Sequence, residues 1–301
     1  MTPRHPKRKR RWGRTFSTTL LIFGGIVLCV YVWVVYRVTH PDSIPEALRP
    51  EQYLLPYRDV SWVGKDGTQS SGWFIAGQRG APLIALCHGY GASRTAVLNL
   101  ATTLRESGYN ILLLRMRGHG SSSEACTLGW KEADDLNSGI DAMVLREKVD
   151  PLRVGVWGVT CGAFAALKAA EKSDKISAMA LDSVYGNPEV FLGQLTRRML
   201  GLDNFWSRRL FGFGLALVVH DSESDLHKDV PLEQLFHISA LFLYGLEDSG
   251  LDAETRRLYM RAGGKKNIIA LPKSRSSILF GSEIKNYDGK ILDFFRTALP
   301  I

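Results

Sequence analysis

The decapeptide GVWGVTCGAF, residues 155–164, sets an apolar run against a glycine-flanked turn and then small residues suited to a helix. Gly158-Val159-Thr160-Cys161-Gly162 has the layout of a nucleophile elbow, G-x-S-x-G. There a sharp strand-to-helix turn lifts a serine hydroxyl toward an acyl carbon. Threonine stands at the serine position. Attack by a hydroxyl also needs a base within hydrogen-bond reach and a carboxylate to orient it. The histidines to weigh as that base are His88, His119, His220 and His227. Other chemistries lack their spacing. HExxH, CxxC, GxGxxG and GxxxxGK[ST] are all absent, so neither a metal nor a cofactor is expected.

An elbow needs a parallel sheet beneath it. Near-continuous apolar runs at 82–87, 110–114, 154–157, 176–181, 240–244 and 267–271 read as strands buried on both faces. Helical stretches fall between them at 93–105, 131–147, 162–172, 253–261 and 283–298. Two half-buried strands, 58–63 and 70–75, lead the set as a hairpin. This alternation predicts an α/β doubly wound fold. Residues 186–235 interrupt the rhythm with an amphipathic stretch rich in Phe and Arg, expected to cap the C-terminal strand ends where such sheets carry their sites. Its aromatics, among them Phe191, Phe205, Trp206, Phe211 and Phe213, are expected to pack the cap onto the sheet.

The net charge of +8 is local. Residues 1–14 hold seven of the 38 Lys and Arg and no acid, leaving 31 basic against 30 acidic residues in the rest. Nucleic-acid binding by the main body is therefore excluded. Phe16 to Tyr36 is an uncharged apolar run of 21 residues. At about 1.5 Å per residue it spans roughly 30 Å, the thickness of a bilayer core. It is longer than a signal-peptide core and ends in no small-residue cleavage site, which favours a retained anchor. The basic tail, 1–15, then stays in the cytoplasm and the globular part lies across the membrane, in a periplasmic, extracellular or luminal space. Residues 37–56, with four prolines, read as a linker. Cys87, Cys126 and Cys161 lie beyond the span and either form at most one pair or stay buried as thiols.

In this order the motifs resemble the α/β-hydrolase superfamily, in its serine aminopeptidase/esterase-like branch with a small helical cap. Asp66-Gly67, His88-Gly89-Tyr90-Gly91, Arg117-Gly118-His119-Gly120-Ser121, TLGWKEADDL at 127–136, Asp182-Ser183, GVTCG and YGLED at 244–248 carry the likeness, over residues 57–298. The resemblance implies an oxyanion hole from the N–H groups of Tyr90 and Cys161. It maps the acid to Asp248, with Asp182 as the alternative, and the histidine to Ser276. No histidine follows His237. Losing the serine or histidine of a working triad costs about 10⁶ in turnover, roughly 8 kcal/mol. The expectation is a membrane-anchored, catalytically degenerate member that binds or regulates, with a small acyl or lipid ligand or a protein partner. The alternative is an active esterase, lipase or peptidase using Thr160 with a cap histidine, His220 or His227.

Overall fold

The computed structural model describes residues 9–42, 44–220, 223–246, 250–274 and 279–301. Eight strands form one sheet in the order β1-β2-β4-β3-β5-β6-β7-β8. They are β1 Arg58–Val63, β2 Gln69–Ile75, β3 Leu83–Cys87, β4 Asn110–Leu114, β5 Val154–Val159, β6 Ile176–Asp182, β7 Ser239–Gly245 and β8 Lys266–Leu271. The leading hairpin joins antiparallel to β4, and every pairing from β4 through β8 is parallel. Every residue of β3, β4 and β5 is buried, as continuous apolar runs require when helices cover both faces.

One face carries α3 Glu132–Glu147, α4 Cys161–Glu171 and α8 Asp252–Arg261; the other carries α2 Leu98–Glu106 and α9 Ser282–Ala298. Between β6 and β7 lies the cap, α5 Pro188–Leu200, α6 Phe205–Val219 and the short α7 Glu223–Leu226. It leaves and rejoins the domain at one place, where Val230 N–H donates to the Gly186 carbonyl. Phe191, Leu192 and Phe211 pack inward as expected, but Phe205, Trp206 and Phe213 are exposed. The α-helical period separates the two sets.

The apolar helix α1 runs from Lys9 to Thr39, longer than the 21-residue run at both ends. Val34 and Val38 are buried in the same core as the cap residues Leu192, Phe211 and Leu215. The stretch read as a linker, 37–56, does not hang free. Residues 37–39 continue the helix, and the following residues strap onto the domain. Ile44 N–H donates to the Gly91 carbonyl, and Glu46 takes a two-pronged hydrogen bond from the buried Arg94 at 2.6 and 2.7 Å. Burial pushes the Glu46 carboxyl up, but Arg94 and Arg115 together hold it below its ordinary value. Four prolines described the strap's irregular backbone without revealing what it grips.

Arg117, 5% exposed, ties the leading hairpin to α3. Its guanidinium donates to both oxygens of the buried Asp135 (2.5 and 2.8 Å) and to both of Asp66 (2.9 and 3.1 Å). Removing one partner of such a group leaves buried charge unpaired, which costs about 3–5 kcal/mol. Arg117→Met is therefore expected to lower unfolding stability by that amount in urea titrations. A loss under about 1 kcal/mol, the scale of an exposed pair, would contradict the assignment.

Candidate functional site

The site forms where β5 turns into α4. Thr160, 7% exposed, sits between them at φ 49° and ψ −113°. That backbone region costs a β-branched residue about 1–3 kcal/mol, so the surrounding structure must impose it. The flanking glycines show how tightly. A Cβ at Gly158 would lie 2.4 Å from the Gly162 carbonyl group, and one at Gly162 would lie 2.2 Å from the Cys87 oxygen. Strand and helix cross too closely for any side chain at either position. Thr160 N–H donates to the Asp182 carbonyl, fixing the turn to β6.

The Tyr90 N–H, in the loop after β3, donates to Thr160 Oγ1 at 3.2 Å. Gly89 permits this approach, since a Cβ there would meet Thr160 Oγ1 at 3.0 Å. The Cys161 N–H opens α4, where the first N–H groups have no acceptor within the helix. The Cys161 side chain is fully buried beneath the turn. Burial, with the carboxyl of Glu132 adding to it, pushes its thiol well up. The Thr160 oxygen thus accepts a backbone N–H, and the raised Cys161 thiol stays protonated. Cys87 and Cys126 are buried free thiols as well, with Cys87 pushed up to about 12 by burial.

His88 and His119 meet edge to face, 5.0 Å between centroids, behind the Tyr90 loop. Every ring nitrogen is used. His119 Nδ1–H donates to the Arg117 carbonyl at 2.7 Å, and Nε2 accepts from Gly91 N–H at 2.9 Å. His88 Nδ1–H donates to the Gly89 carbonyl at 3.0 Å, and Nε2 accepts from Met116 N–H at 3.4 Å. Burial lowers His88 to about 3 and His119 to about 4, so both stay neutral. Neither offers Thr160 a base. In the cap, His220 ends α6 and bonds the Val218 carbonyl, while His227 bonds the Glu189 carboxylate of α5.

Asp182 is fully buried, and its two oxygens accept from different partners. Tyr287 of α9 donates its hydroxyl to Oδ2 at 2.7 Å, and Ser183 donates to Oδ1 at 2.9 Å. Trp157 N–H reaches the Tyr287 oxygen at 3.0 Å, and the Ser183 and Ser274 hydroxyls lie 3.0 Å apart. This polar chain was not anticipated. Asp182 marked a strand end in the sequence, but Tyr287, 105 residues later, reads only as part of an apolar helix face. Asp248 and Ser276, mapped to the acid and histidine positions, lie outside the described residues. Glu132 closes the floor, accepting from the N–H groups of Thr127 and Gly129 and from the Thr127 hydroxyl. Burial pushes its carboxyl up. Among the described residues no group of three or more His, Cys, Asp or Glu is arranged to hold a metal.

Residues 82–292 match the family described as alpha/beta hydrolase fold. The chain is 29% identical over 298 residues to the uncharacterized protein YfhR of Escherichia coli K12, spanning 93% of this chain and 94% of that one. Its backbone is similar to an esterase of Pyrococcus furiosus, Pf2001, at a TM-score of 0.67 and 20% identity, over 88% of this chain and 99% of that one. It is also similar to the acylaminoacyl peptidase of Pyrococcus horikoshii, at a TM-score of 0.61 and 18% identity, over 82% of this chain and 42% of that one.

Proposed function

This chain belongs to the alpha/beta hydrolase fold family, and on that premise we propose that it is a membrane-anchored member whose elbow has lost triad chemistry and serves binding or regulation. The observation that carries the reading is the environment of Thr160. A β-branched side chain occupies the strained position, and its oxygen accepts the Tyr90 N–H, while the imidazoles of His88 and His119 are spent on other partners. Asp248 fills the acid position and Ser276 the histidine position, and no histidine follows His237 to take that place. The oxyanion donors are main-chain groups, so they persist whatever the side chains do. A residual rate of about 10³–10⁴ over water is the most such a remnant sustains.

Phe16–Thr39 is long and apolar enough to cross a bilayer. In this reading residues 1–15 stay in the cytoplasm and the domain stands outside, where it meets a small acyl or lipid ligand or a protein partner. The test uses the full chain in lipid nanodiscs with short-chain aryl esters. Wild type and Thr160→Ala are expected to match each other and the buffer rate, and a fluorophosphonate probe is expected to leave both unlabelled. A wild-type rate about tenfold or more above Thr160→Ala, over 1.4 kcal/mol of barrier, would make Thr160 a nucleophile and overturn the reading.

A further inference from the structure

We propose that α6 is a membrane-surface helix, with its outward face seated in the same leaflet from which α1 emerges. The proposal rests on the anchored reading of α1. Phe205, Trp206, Leu210, Phe213 and Leu217 are each half or more exposed, Trp206 at 78%. At 100° per residue they fall within an arc of about 140°, which the exposed Arg209 shares between Phe205 and Phe213. Phe211 and Leu215 face the other way, into the core.

What fixes the occupant is the depth at which α1 meets α6. The Tyr31 ring stacks on Phe211, 5.6 Å between centroids. At Gly214 the helices cross so closely that a Cβ would lie 2.5 Å from a Val35 methyl and 2.7 Å from the Tyr31 hydroxyl. Tyr31 precedes Tyr36, the end of the uncharged run, by five residues. At about 1.5 Å per residue, the contact lies roughly 7–8 Å inside the apolar span. Interfacial amphipathic helices bury their apolar face about 5–10 Å into the boundary between headgroups and acyl chains. An α1 that spans the bilayer therefore carries the exposed stripe of α6 into that layer. Arg209 is exposed on that face, and a long basic side chain can lay its stem along apolar surface while its head reaches anionic headgroups. Arg209 also lies over the Phe205 ring, 5.6 Å from its centroid.

The full chain is reconstituted into vesicles of phosphatidylcholine and phosphatidylglycerol. A polarity-sensitive thiol dye is attached at Phe213→Cys or Lys265→Cys in a Cys29→Ser background; Cys87, Cys126 and Cys161 are fully buried and do not label. Lys265 precedes β8, at the sheet end opposite the cap. The dye at position 213 is expected to be quenched by doxyl lipid and shielded from iodide, and the dye at 265 to behave oppositely. Iodide quenching at 213 equal to that at 265 overturns the proposal. Shielding from both quenchers also overturns it, because a second copy or another protein would then cover α6. The exposed native Cys29, labelled in the unsubstituted chain, separates the two readings. Doxyl quenching there without quenching at 213 rejects only the α6 assignment, whereas none at Cys29 rejects the anchor itself.

Discussion

A Gly162→Ala chain is expected not to accumulate in folded form. The added methyl would sit 2.2 Å from the Cys87 oxygen and 2.8 Å from the His88 oxygen, both backbone atoms. Cys87 pairs in register with Gly158, so neither strand can retreat without breaking the central parallel ladder. Losses above about 4–5 kcal/mol come from a short list of such causes, and a backbone clash in the centre of the sheet is one. Gly289→Ala is the matched control. Gly289 lies inside α9 with nothing within 4 Å of its added carbon. There alanine is expected to raise stability by about 0.8–1.0 kcal/mol through helix propensity alone. Thermal unfolding of the detergent-solubilised chains reads both. A Gly162→Ala chain melting within about 5 °C of wild type would mean that the elbow is far looser than described. The turn's geometry is held by backbone packing and does not depend on which side chain stands at position 160.

Acid is expected to weaken the fold well before the carboxylates titrate. His88 and His119 are buried neutral, at about 3 and about 4, against about 6.5 in an unfolded chain. Between those values the unfolded state binds more protons, so stability is complete above pH 6.5 and falls as pH drops toward 4. At pH 5 each histidine forgoes about 2 kcal/mol, roughly 4 kcal/mol together relative to pH 7. Glu132 has the opposite sign, because burial raises its carboxyl and favours the acid side. Single replacements separate these contributions. His119→Gln and His88→Asn are each expected to remove about 2 kcal/mol of the difference between pH 7 and pH 5 in urea titrations, whatever they do to stability at pH 7. A difference unchanged in both variants would show that neither imidazole is held neutral.

Asp66 and Glu46 extend the acid sensitivity below that window. The Arg117 hydrogen bonds hold the Asp66 carboxyl far under its usual range, and Arg94 and Arg115 hold down Glu46. Their share of stability is present above about pH 4 and is lost as pH falls through the lowered values.

Elements with strong local signals were legible in the sequence. The apolar runs became β3 to β8 within a residue or two, because a strand covered on both faces admits little else. The elbow was legible because two glycines at fixed spacing mark a crossing that excludes side chains. What escaped was contact between distant segments. Glu46 is 48 residues from Arg94, and Asp182 is 105 from Tyr287. Val34 and Val38 are as suited to lipid as to protein, so their burial against the cap left no signature in residue type. The cap aromatics divided by helical phase, with Phe211 inward and Phe213 outward, although composition treats them alike. The acid and histidine assignments rest on chain order alone, since Asp248 and Ser276 fall outside the described residues.

The last turn of α1 takes its hydrogen-bond partners from the domain. The Tyr90 hydroxyl donates to the carbonyls of Arg37 and Val38, and Cys126 N–H donates to that of Thr39. A helix end normally leaves such carbonyls to water or a cap. Here α1 is finished by the same loop that places an N–H on Thr160. A protease cutting just before residue 40 would not shed a ready-made soluble molecule. Departure of α1 would take Val34 and Val38 out of the core and leave the Tyr90 hydroxyl and the Cys126 amide without these acceptors. Losing α1 would therefore unmake part of the domain's own core rather than trim it.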